Sequence, residues 1–194
     1  MDIDKDYWTK RYDEGDIPWD VGYPTPSIVK YFEQIEDQTK RILIPGAGNA
    51  YEASELYHNG FKNVFVLDFS PLPLKNFISK NPDFPKSQIL QSDYFEHQEQ
   101  YDFIVEQTFM CALPPALRPK YAEHSFKLLR PGGKLIGVLF NAPLNNDKPP
   151  FGGNTYEYQQ LFSAFRIKCM ENNSHAIKPR QERELFIILQ KPKS

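Results

Sequence analysis

The fold is decided by residues 42–52, which read ILIPGAGNAYE. The apolar run over 41–44 predicts a buried strand, and Gly46 and Gly48 follow it in a turn that opens onto a helix over about 51–59. A strand, a glycine turn and a helix in this order bring bare backbone close to a ligand. Because Gly-x-Gly also occurs in plain structural turns, the stretch predicts a nucleoside site only together with the residues that follow.

The rest of the chain alternates short apolar runs with helix-length polar segments, a pattern typical of βαβ units and a mostly parallel α/β sheet. Further strands are predicted over 64–67, 88–91, 101–106, 134–140, 165–170 and 184–189. Helices are predicted near 27–36, 72–80, 115–129 and 156–164. The last two strands are expected to pair as an antiparallel edge, and the RPGG segment over 130–133 predicts a turn.

Length and composition restrict the class of protein. The 194 residues predict one domain, 1–194, with an aromatic arm and a helix over 1–36 and the sheet over 37–194. A net charge of -2 and a pI of about 6.1 disfavour nucleic acid as a partner. An acidic N-terminus and the lack of an apolar run of about 18 residues favour a cytoplasmic protein away from membranes, which we expect to be monomeric.

Cysteine and histidine spacing favours neither a disulfide framework nor a metal centre. Cys111 and Cys169 lack the CxxC spacing of a metal or redox site, and the four histidines show no ligand spacing. We therefore expect free thiols and no metal. Cys111 follows the fourth predicted strand and is expected to line a site as a small apolar residue rather than act as a nucleophile.

An acid at the end of the second predicted strand strengthens the prediction of a nucleoside site. Asp68 follows Gly46 at nearly the offset of about 20 residues that is typical of a ribose-binding carboxylate. The alternative is that Asp68 only caps the next helix. Tyr51 stands where a dinucleotide fingerprint has its third glycine, which favours a ligand without a phosphate to bind, such as S-adenosylmethionine.

Two further strand ends supply candidate contacts. Asp93 and Tyr94 follow the third strand, where an acid can accept from an adenine amino group and a ring can pack on the base; the alternative is a solvated turn. Residues 106–109 follow the fourth strand, at the rim where open α/β sheets bind their ligands.

An aromatic arm precedes the sheet and contains no obvious strand or long helix. Trp8, Tyr12 and Trp19 offer electron-rich faces that would favour a sulfonium cation. The alternative is ordinary packing of the arm on the body of the protein.

The arm reads WTKRY at 8–12, GDIPWDVG at 15–22 and PTP at 24–26, and it resembles the start of the thiopurine S-methyltransferase family, closest to its plant thiol and halide branch. The similarity covers nearly the whole chain, through LIPGAG (43–48), DFS (68–70), FMCAL (109–113), RP (118–119), LRPGG (129–133), PPF (149–151) and HAI (175–177). It implies a Rossmann-like class I methyltransferase fold. That fold has a seven-stranded, mostly parallel sheet, helices on both faces and an antiparallel last strand.

The resemblance also implies an arm that folds over S-adenosylmethionine and a set of cofactor contacts. These positions are Trp8, Tyr12, Trp19, Gly46, Asp68, Asp93, Tyr94 and Gln107. The chain departs from the pattern in three places. Tyr12 stands where plant relatives have Trp, Gln107 where some relatives have Tyr, and Phe140 where the plant branch has a tyrosine near the acceptor. The missing hydroxyl at Phe140 weakens the case for a halide more than the case for a thiol.

Candidates for the acceptor pocket are Phe109, Phe140, Phe151 and Arg180. Arg180 either attracts an anionic acceptor or pairs with Glu182 or Glu184. The expected reaction moves a methyl group from S-adenosylmethionine to a small thiol, hydrosulfide, halide or thiopurine, with no assigned catalytic residue, since a thiolate needs no strong general base. The alternatives are a nucleotide-cofactor oxidoreductase and a non-catalytic S-adenosylmethionine-binding protein.

Overall fold

The computed structural model describes residues 3–193, and a seven-stranded sheet lies at its centre. The strands are β1 (Ile42–Pro45), β2 (Val64–Asp68), β3 (Ile89–Gln91), β4 (Tyr101–Gln107), β5 (Leu129–Phe140), β6 (Arg166–Asn172) and β7 (Glu184–Gln190). Their order is β3-β2-β1-β4-β5-β7-β6. Strand β7 runs antiparallel to both of its neighbours, which confirms the predicted antiparallel pairing of the last two strands.

Helices cover both faces of the sheet, as expected for a mostly parallel sheet. The described residues form α1 (Lys5–Asp13), α2 (Pro26–Glu33), α3 (Tyr51–His58), α4 (Pro71–Lys80), α5 (Arg118–Leu128) and α6 (Thr155–Leu161). Residues of α2, α3 and α4 share one apolar cluster with Ile42 and Ile44, whereas residues of α5 and α6 share the other with Leu43. Successive side chains of β1 therefore enter opposite layers. None of these helices is long and apolar enough to cross a membrane.

The arm contains a helix that the sequence pattern did not predict. Helix α1 begins after Asp4, whose carboxylate accepts from the Tyr7 N–H at 2.9 Å and so caps the helix. No residue of α1 is buried, so its sequence carries no apolar stripe to reveal it. The cap and the contacts of the arm with the body stabilise the helix instead.

The predicted turn over 130–133 is a bulge inside β5. Tyr101 pairs with Leu129, whereas Phe103 pairs with Lys134, so the intervening residues of β5 have no partners on β4. The strand consequently begins earlier than the sequence predicts. The other predicted elements are present, with bounds that differ by a helical turn or less.

The parallel strands β1 to β4 end at the same edge of the sheet. This edge carries Gly46 after β1, Asp68 at the end of β2, Asp93 after β3 and Gln107 at the end of β4. Open α/β sheets bind their ligands at this edge, so the topology brings the predicted site residues together.

Candidate functional site

A cavity of about 730 Å³ lies at the carboxyl edge of the sheet, next to the arm. Its wall includes all eight predicted cofactor positions: Trp8, Tyr12, Trp19, Gly46, Asp68, Asp93, Tyr94 and Gln107. Three acceptor candidates, Phe109, Phe140 and Arg180, also line it. The structure therefore gathers residues from the arm and from five strand ends around one space.

Phe151 is the predicted acceptor residue that does not line the cavity. Its side chain is buried, and its N–H donates to the Cys111 carbonyl at 2.8 Å. The preceding prolines, Pro149 and Pro150, form that part of the wall instead. Phe151 is therefore the one acceptor candidate whose side chain is buried outside the lining of this cavity.

The glycine turn is shaped for close approach. Gly46 and Gly48 have φ angles of 55° and 54°, a region that side chains disfavour. A Cβ atom on Gly48 would overlap the Tyr12 hydroxyl, and one on Gly46 would overlap the Phe109 ring. Both glycines are therefore required for conformation and for space.

Asp68 accepts hydrogen bonds from two backbone N–H groups that precede helices, without capping α4, and it keeps capacity for a further donor. Its Oδ2 accepts from the Gly48 N–H at 3.0 Å, and its Oδ1 accepts from the Ser70 N–H at 2.9 Å, just before α4. The carboxylate is only 7% exposed, and burial raises its pKa to about 6. Each oxygen retains a lone pair for a further donor, so a ribose diol fits here.

The three arm aromatics form one cluster. Trp19 meets Trp8 at a ring-centroid distance of 5.3 Å and Tyr12 at 5.9 Å, both edge to face. The Arg11 guanidinium lies 4.7 Å from the Trp19 ring centroid and pairs with Asp16 at 2.9 Å. The cluster stabilises the arm internally while its rings line the cavity.

Polar contacts join the arm to the body. Asp20 accepts from the Asn49 side-chain amide and from the Tyr51 hydroxyl, the latter at 3.2 Å. Arg180, which also lines the cavity, donates to the Trp19 carbonyl at 3.3 Å. These contacts hold the arm beside the glycine turn.

Arg180 forms the ion pair that was one of its two predicted roles, and it also lines the cavity. It lines the cavity, with its guanidinium 5.5 Å from the centroid of the Phe140 ring. It also pairs with the buried Glu184 at 3.5 Å. The positive charge is therefore held in place by a carboxylate while it faces the cavity.

Cys111 lines the same cavity as Phe140. It is buried, and burial raises the pKa of its thiol. A thiol that stays protonated is a poor nucleophile. The environment is that of a small lining residue, as the sequence analysis expected.

Glu106 belongs to the segment 106–109 that the sequence predicts at the rim of the site, where it was assigned no role of its own. It is fully buried at the end of β4, and its Oε1 accepts from the Phe109 N–H at 2.7 Å and the Met110 N–H at 3.0 Å. The Tyr121 hydroxyl donates to its Oε2. Burial raises its pKa to about 7. The signal in the sequence was an acid that follows the apolar run 103–105 directly.

Residues 3–193 contain no cluster of side chains that could bind a metal ion. No group of three or more His, Cys, Asp or Glu side chains in this range is placed to hold a metal ion. The groups that line the cavity include the Asp68 carboxylate at the glycine turn, the aromatic cluster of the arm and Arg180. This set fits a ribose and a sulfonium.

This sheet order and this arrangement of turn, acid and aromatic arm define a class I S-adenosylmethionine-dependent methyltransferase. A family model described as thiopurine S-methyltransferase matches residues 3–191. The chain belongs to that family.

Two plant proteins and one solved structure illustrate the similarity. Probable thiol methyltransferase 2 of Arabidopsis thaliana is 32% identical over 184 residues, which cover 91% of this chain and 81% of that protein. Thiocyanate methyltransferase 1 of Brassica oleracea is 26% identical over 189 residues, covering 94% and 83%. The 1,6-didemethyltoxoflavin-N1-methyltransferase of Burkholderia thailandensis, solved with S-adenosylhomocysteine, has a TM-score of 0.81 at 13% identity, covering 98% and 88%.

The family assignment decides between the functional classes that the sequence left open. The chain is an enzyme that uses S-adenosylmethionine to methylate a small molecule, rather than an oxidoreductase or a binding protein. The seven-stranded fold predicted from the resemblance is confirmed.

Proposed function

We propose that the methyl acceptor is the sulfur of a small thiol or of hydrosulfide, with thiols preferred to halides. The observation that carries this proposal is the wall around Phe140, the end of β5. Phe140 and Cys111 make this wall apolar, Phe140 offers no hydroxyl to hold a halide, and Arg180 supplies one positive charge. Such a pocket favours an anionic sulfur on an apolar body.

The order of the strands separates the two halves of the proposed site. Asp93 and Tyr94 follow β3 at one end of the series β3-β2-β1-β4-β5, and Phe140 ends β5 at the other. We assign adenine to Asp93 and Tyr94, and the ribose hydroxyls to Asp68. The acceptor then lies towards Phe140 and Arg180.

The remaining cofactor contacts follow from this placement. Gly46 gives the backbone close approach at the glycine turn, and Gln107 offers a polar contact at the end of β4. The aromatic faces of Trp8, Tyr12 and Trp19 stabilise the sulfonium, because electron-rich rings attract cations. When bound, S-adenosylmethionine supplies an electrophilic methyl group on a sulfonium whose departure as a neutral thioether is favourable.

The chain contributes positioning and desolvation to an in-line displacement. The wall at Phe140 and Arg180 would hold the acceptor sulfur as a thiolate whose proton has gone to solvent, and the cofactor would supply the methyl group to this sulfur, its own sulfur leaving as a neutral thioether. The positive charge of Arg180 favours the thiolate over the thiol. The arm excludes water and holds the reactants at attack distance, so no general base is needed.

The domain organisation, oligomeric state, location and partners of the enzyme form the second part of the proposal. We propose that residues 1–194 act as one domain and as a monomer in the cytoplasm, on a small-molecule acceptor and without nucleic acid. The net charge of -2 and the two free cysteines support this context. The names of the plant relatives, which include a thiol and a thiocyanate methyltransferase, agree with a sulfur acceptor.

An acceptor panel tests the proposal. The purified enzyme is mixed with labelled S-adenosylmethionine and, separately, with thiols, hydrosulfide, iodide and thiopurines, and methyl products are measured by mass spectrometry. We expect the highest kcat/KM for a thiol or hydrosulfide at saturating cofactor. If iodide is the better acceptor, the argument from Phe140 is wrong although the enzyme class stands.

A binding control accompanies the panel. S-adenosylhomocysteine should raise the melting temperature, because a ligand of the native state stabilises it by mass action, whereas NADH should not. A protein that binds S-adenosylhomocysteine and methylates none of the sulfur acceptors would contradict the proposed acceptor.

A further inference from the structure

We propose that Glu106 is a positioning residue for the acceptor end of the site: its buried carboxylate fixes the turn over residues 108–111 that forms part of the cavity wall. The inference rests on the proposed function, because it concerns the side on which the acceptor binds. Glu106 is fully buried and does not line the cavity, so it acts through the turn rather than on the reactants.

The turn needs an external restraint. Thr108 has a φ angle of 56°, a left-handed conformation that costs energy for a residue with a branched side chain. Directly after it, the Phe109 and Met110 N–H groups both donate to Glu106 Oε1, at 2.7 and 3.0 Å. The chain thus reverses around one carboxylate oxygen. Without an acceptor there, two N–H groups of the turn would lose their partner.

The restrained residues belong to the cavity wall. Phe109 and Cys111 line the cavity, and the Phe109 ring fills the space that a side chain on Gly46 would need. The same ring meets Tyr94 edge to face at a centroid distance of 5.3 Å. A shift of the turn would therefore move the acceptor wall relative to the glycine turn.

A second set of contacts anchors the carboxylate from the other side. The Tyr121 hydroxyl, which is fully buried on α5, donates to Glu106 Oε2. Ser125 on the same helix donates to the Tyr121 carbonyl at 2.7 Å and shares a hydrogen bond with the Tyr94 hydroxyl at 2.8 Å. These buried hydrogen bonds anchor the carboxylate to α5, whereas the bond between Tyr94 and Ser125 does not involve Glu106. Because a buried charge is costly, its three donors indicate that the carboxylate is held in one position.

Two substitutions at Glu106 test whether a hydrogen-bond acceptor at this position, and not only a side chain of this length, holds the turn in place. Glu106→Gln keeps an acceptor oxygen for the Phe109 and Met110 N–H groups, whereas Glu106→Met has a similar length and no acceptor. For Glu106→Gln we expect kcat/KM for the acceptor within about threefold of wild type. For Glu106→Met we expect a loss of about tenfold or more, since small misplacements near a reacting centre cost large factors in rate.

The affinity for S-adenosylhomocysteine distinguishes a defect at the acceptor side from a general loss of structure, because only a general loss would also weaken cofactor binding. In Glu106→Met, the Kd of S-adenosylhomocysteine should stay within about threefold of wild type, while kcat falls and the KM of the acceptor rises. Tyr101→Phe is the matched control, because it removes a buried hydroxyl that bonds to His97 at 2.8 Å and lies outside the cavity wall. It should lower stability without changing acceptor kinetics.

The inference is overturned if Glu106→Met has wild-type acceptor kinetics, or if its affinity for S-adenosylhomocysteine falls as much as its kcat/KM. If Glu106→Met does not fold, Tyr121→Phe carries the test. It should raise the acceptor KM with an unchanged Kd for S-adenosylhomocysteine, and wild-type kinetics would count against the inference. If the wild type methylates oxygen or nitrogen acceptors instead of sulfur, the proposed function fails, and the same comparison is made with that acceptor.

Discussion

Asp68 shows how one carboxylate can organise a turn and remain available to a ligand. Its two oxygens accept from the N–H groups of Gly48 and Ser70, so it fixes the glycine turn and the start of α4. Burial raises its pKa because the charged form loses hydration in the protein. Hydrogen bonds from further donors, such as ribose hydroxyls, would offset the free-energy cost of burying this carboxylate.

Replacement of Asp68 tests the ribose assignment. We expect Asp68→Ala to weaken binding of S-adenosylhomocysteine by roughly 1.5–3 kcal/mol, because the hydroxyls and the turn N–H groups lose a charged acceptor. Isothermal titration calorimetry with wild type and variant measures the difference. Equal affinities would reduce Asp68 to its role at the helix start.

The charge of Glu106 predicts a pH dependence of stability. Its folded pKa of about 7 lies above the ordinary value of 4.5, so the folded state binds more protons between these pH values than the unfolded state. The free energy of unfolding of the wild type should therefore fall, relative to Glu106→Gln, by up to about 3 kcal/mol as the pH rises through this range.

Urea unfolding of both proteins at several pH values measures this difference. His97 and His124 have lowered pKa values through burial and act in the opposite direction, so the comparison between wild type and variant isolates Glu106. A difference that does not vary with pH would show that Glu106 has the same pKa in the folded and unfolded protein, so that burial does not raise it.

Phe140 is the residue on which the preference for thiols depends. Phe140→Tyr should raise kcat/KM for iodide relative to a thiol, because a hydroxyl at this wall can donate a hydrogen bond to a halide ion. The ratio of methyl iodide to methyl thioether, measured in the headspace at saturating cofactor, gives the result. An unchanged ratio would mean that position 140 does not select the acceptor.

At the scale of elements, the arm and the sheet are stabilised by different kinds of contact. Helix α1 buries none of its residues, and the arm contacts the body through polar pairs such as Asp20 with Tyr51. The apolar clusters beneath it are built from α2 onwards. The arm therefore covers the cavity and adds few buried residues to the hydrophobic core.

Removal of the arm should separate activity from folding. We expect a protein without residues 1–19 to lose methyl transfer while its sheet still folds and unfolds cooperatively, because water then enters the site and three aromatic contacts are gone. Activity and thermal unfolding by circular dichroism are compared with Lys10→Ala, a change of an exposed α1 side chain that should leave both unchanged. A fully active truncated protein would mean that the arm only packs on the body.

At the scale of the whole molecule, the surface indicates how the chain associates. The large apolar side chains exposed among residues 3–193 are Tyr23, Ile78, Tyr156 and Ile167, which lie on different elements. Scattered single residues of this kind are normal for a monomer, whereas stable interfaces present larger apolar patches. Light scattering coupled to size exclusion should therefore give a mass near 22.6 kDa, and a dimer mass would contradict the monomer.

The sequence by itself determined the strands, the glycine turn and the positions of the cofactor candidates. Each of these depends on neighbours in the chain: β1 is a continuous apolar run, and Gly46 follows it directly. The parallel order then places the strand ends at one edge, so residues such as Asp68 and Asp93 could be assigned to one site.

Only the tertiary structure decided which distant side chains meet. Glu106 pairs with Tyr121 on α5, and Arg180, which lines the cavity, reaches the Trp19 carbonyl. Phe151 is buried outside the lining of that cavity, although its neighbouring prolines line it. Periodicity and spacing describe the local chain, whereas these contacts depend on how helices and loops pack on the sheet, and no repeat in the sequence encodes that packing.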